Sequence, residues 1–168
     1  MPSKQKIKGS SWEREVSKYL TELLGVPFSR SPGSGAYIGG TNNFRKKNLT
    51  ENTVRVYKGD IIPGDGYEHL NFEAKSYKEL AFHQLFQSGP VKQLETWINQ
   101  CASVADADDL SIILIKITRK GDYILIENRE NFRLPAFHVK YHSEKHGEWI
   151  FTDMYTFLET NKDQLKKI

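Results

Sequence analysis

One cysteine, Cys101, stands in 168 residues, so the chain can form no internal disulfide and no cysteine zinc cage. Apolar runs are short. The longest candidate, Ile112–Ile117, is interrupted by Lys116 and falls far below the ~18 residues of a membrane span. The basic N-terminus, from Met1 to Lys8, is followed by no apolar stretch of signal-peptide length. These absences predict no membrane partner and a reducing cytoplasm as the compartment. A hydrophobic fraction of 38% with 27% charged residues excludes a disordered tail or a fibrous rod. The length fits one domain over residues 1–168, with no repeat and no dividing linker.

Charge is present but unevenly placed. The net value is only +3, yet residues 1–60 hold 11 of the 24 Lys and Arg and 5 of the 21 Asp and Glu. A basic first third on an otherwise acidic chain points to an anionic partner, nucleic acid being the commonest; solvated lysine-rich ends are the plainer alternative.

Residues 1–10 read as a loose basic arm whose Lys6 and Lys8 are candidate DNA contacts. Ser10 and Glu13 have capping-box spacing, and Trp12, Val16, Tyr19, Leu20, Leu23 and Leu24 predict an amphipathic helix over about 11–24, ended by Gly25. Residues 31–53 look irregular, crowded with Gly, Ser and Asn. Thr53–Tyr57 and Asp60–Ile62 predict strand, Pro63–Gly66 a turn, and His69–Tyr77 the returning strand of a hairpin. Beyond it follow a helix over about 91–105 and an apolar strand at 111–118 suited to burial on both faces. A strand at 122–127, a hairpin over 136–152 and a last helix from 153 to 166 complete an α/β order.

Glu73-Ala74-Lys75 is the most informative tripeptide. On a strand, Glu73 and Lys75 share one face while Phe72 and Ala74 share the other. An acid and a base on an apolar strand are costly to bury unless paired or bound to metal. Asp60, on the other limb of the hairpin, can approach Glu73 closely enough for both to hold one hard cation, Mg²⁺ or Mn²⁺. A neighbouring lysine can activate water or stabilise charge on a phosphate. A turn aspartate and a solvated salt bridge are the plainer alternative.

Gly59-Asp60-Ile61-Ile62 followed by Phe72-Glu73-Ala74-Lys75 resembles the PD-(D/E)xK nuclease superfamily, with Gly59 where the proline usually stands. Lys8-Gly9-Ser10-Ser11-Trp12-Glu13-Arg14-Glu15 and Phe28–Gly35 resemble the opening segments of archaeal-type Holliday junction resolvases within it. The resemblance is close over about residues 6–77. It implies a single-domain restriction-endonuclease-like fold, a mixed central β-sheet flanked by helices. It implies an Mg²⁺-dependent endodeoxyribonuclease, Mn²⁺ substituting, that makes paired nicks in four-way junctions as a C2 homodimer and leaves 5′-phosphates. Asp60, Glu73 and Glu13 are the implied metal ligands and Lys75 the catalytic lysine. Arg14, Arg30 and Ser34 are implied on DNA phosphates. The setting it implies is recombination or repair in a bacterial, archaeal or phage-infected cell. Two alternatives stay open: a restriction-like, repair or phage nuclease on duplex, flap or single-stranded DNA, and a silent DNA-binding protein of the same fold.

Residues 36–58 exceed what compact resolvases allow and carry Arg45, Lys46, Lys47, Arg55 and Lys58, read as an extended DNA-facing basic loop, with a disordered surface insertion as the plainer alternative. Gln93 and Trp97 have the spacing of a Gln-x-x-x-Tyr motif, making Gln93 a possible accessory residue beside a simpler role in packing. His138, His142 and His146 fall on a predicted hairpin that scatters them, and Gly33-Ser34-Gly35 lacks the ending of a phosphate-binding P-loop.

Overall fold

The central strand of the molecule is the one the apolar pattern singles out. β4 (Leu110–Ile117) is buried along nearly its whole length, which requires cover on both faces of its sheet. The computed structural model describes residues 4–32 and 40–166. In these, seven strands form one mixed sheet in the order β1-β2-β3-β4-β5-β7-β6. The other strands are β1 (Ser29–Arg30), β2 (Ile61–Ile62), β3 (Leu70–Tyr77), β5 (Gly121–Glu127), β6 (His138–Ser143) and β7 (Gly147–Asp153). β3 and β4 run parallel and the remaining pairs are antiparallel. No helix among the described residues is long and apolar enough to cross a membrane.

Alternation along the strands sorts the core into two layers. Phe72, Ile112, Leu114, Ile124 and Ile126 pack against Trp12, Val16 and Leu20 of α1 (Lys4–Leu24) and Phe157 and Leu158 of α4 (Met154–Leu165). Ile113, Ile115, Ile117 and Leu125 face the opposite way, onto Leu94, Trp97 and Ile98 of α3 (Lys92–Ala102). The flanked mixed sheet is therefore the α/β architecture expected. The β6–β7 hairpin and the final helix, capped by Asp153 on the Thr156 N–H at 2.8 Å, also fall where the pattern puts them.

Three local expectations are corrected. α1 begins at Lys4, so residues 4–10 are helix rather than a loose arm, and Ser10 lies inside the helix instead of capping it. Continuous backbone pairing outweighs the local capping signal there. Thr53–Tyr57 is not a strand but part of α2 (Glu51–Tyr57). Its cap is Thr50, whose hydroxyl accepts the Thr53 N–H at 3.3 Å, enough to override the weak β preference of Val54 and Val56. The long basic loop is likewise ordered where it is described, as a 3₁₀ segment at Gly40–Asn48 followed by α2; its residues 36–39 lie outside the described residues.

Candidate active site

β3 supplies the site because its period of two sends Glu73 and Lys75 to the α3 face, level with Ile113 and Ile115 of β4. Phe72 and Ala74 pack into the α1 layer instead. The bend before β2 brings in Asp60. Its N–H donates to the Phe72 carbonyl at 2.8 Å, and its own carbonyl accepts the Ser31 N–H at 2.8 Å. Gly59 makes this approach feasible. Its φ is +68°, and a Cβ there would stand 2.3 Å from the Phe72 carbonyl oxygen. Proline cannot adopt that φ, so this chain reaches its acid by a different backbone path from a proline-bearing motif.

The side chains converge. Asp60 Oδ2 accepts the Ala74 N–H at 2.9 Å. Glu73, only 3% exposed, has Oε1 2.6 Å from the Lys75 ammonium. Lys75 also donates to Gln100 Oε1 of α3 at 2.7 Å. Burial and the charge of Glu73 push the Asp60 carboxyl up to about 7; the Ala74 N–H and Lys75 oppose the rise, and Glu13 adds to it. Glu13 is thus within the electrostatic reach of Asp60. Its position follows from Trp12, which is buried beneath α1 and donates its indole N–H to the Leu114 carbonyl at 3.0 Å. Behind the site, burial and Glu73 push the Cys101 thiol upward, which keeps it protonated and inert.

Other expected site residues lie in varied settings. Arg30, on β1, is ion-paired with Glu13, and Arg14 is exposed on α1. Lys6 and Lys8 fall in the first turns of α1 with side chains outside the description, and Ser34 lies outside the described residues. Lys47 is exposed, and Arg45 has its guanidinium carbon 5.8 Å from the centre of the Phe44 ring. Lys46 differs from the expectation of a DNA-facing side chain. Its ammonium turns inward, onto the Val104 carbonyl and to 3.2 Å from Asp106 Oδ1.

Gln93 is corrected too. Its amide donates to the Glu79 carbonyl at 3.3 Å, and the helical glutamine that meets Lys75 is Gln100. Gln100 lies seven residues further on, two turns along the same helix face, a spacing that could have flagged it. Lys58, two residues before Asp60 and expected with the DNA-facing loop, turns inward as well. Its ammonium pairs with Asp109 and stands 3.2 Å from Asp106 Oδ2.

Among the described residues, no three His, Cys, Asp or Glu side chains form a ready metal cage. Asp60 and Glu73 nevertheless suit a hard divalent cation. Burial, and after it the charge of Glu73, raises the pKa of Asp60, and a cation between the two carboxylates would offset both. Glu13 is held by Arg30 instead and would have to exchange that partner to join them.

The comparisons with known proteins agree with this geometry. No curated protein matches the chain, and no solved structure does. The model of one family, described as "Phage putative PDDEXK endonuclease", matches residues 4–167. With nearly the whole chain covered, the protein belongs to this PDDEXK endonuclease family, within the PD-(D/E)xK nuclease superfamily.

Proposed function

We propose that the protein is a divalent-metal-dependent DNA endonuclease that hydrolyses phosphodiester bonds. The observation that carries this reading is the convergence of Asp60, Glu73 and Lys75 on one side of β3, with Glu13 in electrostatic reach. A binding protein has no need of a buried, mutually repelling acid pair beside a lysine. Asp60 and Glu73 would hold Mg²⁺ or Mn²⁺, which supplies Lewis-acid polarisation of the phosphate and lowers the pKa of attacking water.

The chain's own groups do the rest. Glu73 and Gln100 hold the Lys75 ammonium at two contacts, leaving its remaining donor capacity for a phosphate oxygen as negative charge accumulates in the in-line displacement. The Ala74 N–H fixes the Asp60 carboxylate so that ordering it adds no cost when substrate arrives. Arg30, beside Glu13, is placed to exchange its carboxylate for a substrate phosphate, and Arg14 is exposed on the adjoining helix.

The sequence resemblance favours a four-way junction as substrate. Paired nicks would then require two copies of the site, hence a C2 homodimer. The matching family is described only as a phage endonuclease, so duplex, flap and single-stranded DNA stand beside the junction as alternative substrates. One cleavage assay separates them: a four-way junction, duplex, flap and single strand of common sequence, each with Mg²⁺, Mn²⁺ or EDTA. We expect cleavage only with metal, and its loss in Lys75→Ala. Cutting in EDTA, or a Lys75→Ala variant near the wild-type rate, would overturn the assignment. Tight binding without cleavage of any substrate under either metal would replace it with the binding-only reading.

A further inference from the structure

Large apolar side chains are seldom left in solvent beside a run of cations, yet Phe44 is 62% exposed at the head of Phe44-Arg45-Lys46-Lys47. The other exposed large hydrophobics among the described residues, Tyr77, Phe86 and Phe137, lack such a run. The Arg45 guanidinium lies 5.8 Å from the Phe44 ring centre, within cation–π range, so the ring already has a cation beside it.

The segment that presents this ring is anchored. Lys46 holds the Val104 carbonyl and Asp106 on the loop between α3 and β4. Lys58 shares that same Asp106, and from Lys58 the chain passes through Gly59 directly to Asp60. At the far end of α2, Ser31 donates its hydroxyl to the Val56 carbonyl at 2.7 Å. Phe44 is therefore tied, through one shared carboxylate, to the same stretch of backbone that carries the catalytic acid.

A flat apolar ring with cations around it matches one kind of partner: the face of a nucleobase whose neighbouring phosphates are negative. An acidic peptide would satisfy the charges but not the open ring. A base buried in a duplex offers no free face, so the match is to a base that is unpaired. We infer that Phe44 is a stacking platform for an unpaired base of the DNA substrate, with Arg45 and Lys47 supplying the positive field for its flanking phosphates. This rests on the nuclease reading and deepens it, since it selects DNA with unstacked bases, at branches, flaps or single strands, over uninterrupted duplex.

The test measures binding without turnover. Wild type, Phe44→Ala, Phe44→Trp and Phe137→Ala are titrated in EDTA against duplex, single-stranded and flap DNA of common sequence, with 2-aminopurine in the unpaired segments. Phe44→Ala should weaken binding to the unpaired substrates by roughly 5- to 150-fold, the span of a lost base–aromatic stack, and leave duplex affinity within about twofold. Its salt dependence should not change, because no charge is removed. Phe44→Trp should restore affinity and the quenching of 2-aminopurine. Phe137→Ala, at the opposite edge of the sheet beside β6, should match wild type. Equal losses on duplex and unpaired DNA, or no loss where wild type binds, would overturn the stacking role and leave the nuclease reading intact. Failure of wild type to bind any of the DNAs, both in EDTA and with Ca²⁺ in place of EDTA, would overturn both.

Discussion

Ionising Asp60 next to Glu73 inside the fold costs free energy, and that cost sets a pH dependence that can be read without any substrate. A carboxyl raised from 3.8 to about 7 on folding favours the folded state while it holds its proton. The advantage is complete below about pH 4 and disappears as pH climbs through 7. Asparagine stays neutral throughout and can still accept the Ala74 N–H. In metal-free buffer, Asp60→Asn should therefore melt close to wild type at pH 4 and several degrees above it at pH 8. Parallel melting curves across that range would show that Asp60 ionises at an ordinary carboxylate pH. The residues of this cluster were legible in unequal measure. Glu73 and Lys75 follow from a period of two on an apolar strand, and Asp60 from the turn that separates it from them. Gln100 meets Lys75 across 25 residues through the packing of α3 on the sheet; its two-turn spacing from Gln93 marks the helix face but not which glutamine reaches the lysine.

At the scale of elements, the regular pieces with strong periodicity were readable and the segment joining α1 to β2 was not. β4 and α3 declare themselves by apolar runs and stripes that only one packing satisfies. The 40–58 segment has little apolar content and is held instead by charges on the distant loop between α3 and β4, across 48 residues for Lys58 and Asp106. Its lysines look alike in sequence but differ in burial. Lys58 is 10% exposed and faces Asp109, itself 6% exposed, whereas the Asp106 carboxylate paired with Lys46 is 59% exposed. Breaking a buried pair from one side strands a desolvated charge and costs about 3–5 kcal/mol, while an exposed pair is worth at most about 1 kcal/mol. Lys58→Met should accordingly be strongly destabilising in urea unfolding and Lys46→Met nearly neutral. Equal midpoints for the two variants would mean that Lys58 does not hold the segment down.

Over the whole molecule, the excess of basic residues in the first 60 positions translates into a measurable salt dependence, whose size the structure lowers from the value the sequence suggests. Each phosphate neutralised by a lysine or arginine on duplex DNA contributes about 0.9 to the slope of log affinity against log salt. Read from sequence, Arg45, Lys46 and Lys47 are three equivalent contacts, and replacing all three with alanine would flatten the slope by about 2.7. In the fold the Lys46 ammonium is committed to Val104 and Asp106, which takes one of the three contacts out of the count. Arg45→Ala/Lys47→Ala should then flatten the slope by up to about 1.8, and adding Lys46→Ala should change it little further. Fluorescence-anisotropy titrations of a duplex between low and moderate salt, in EDTA, give these slopes directly. A further drop of nearly one whole contact on adding Lys46→Ala would mean that DNA draws Lys46 away from Asp106. That exchange is energetically feasible for a carboxylate this exposed, and its signature would be a Lys46→Ala effect that grows once Asp106 is already Asn, because the lysine then leaves no carboxylate behind.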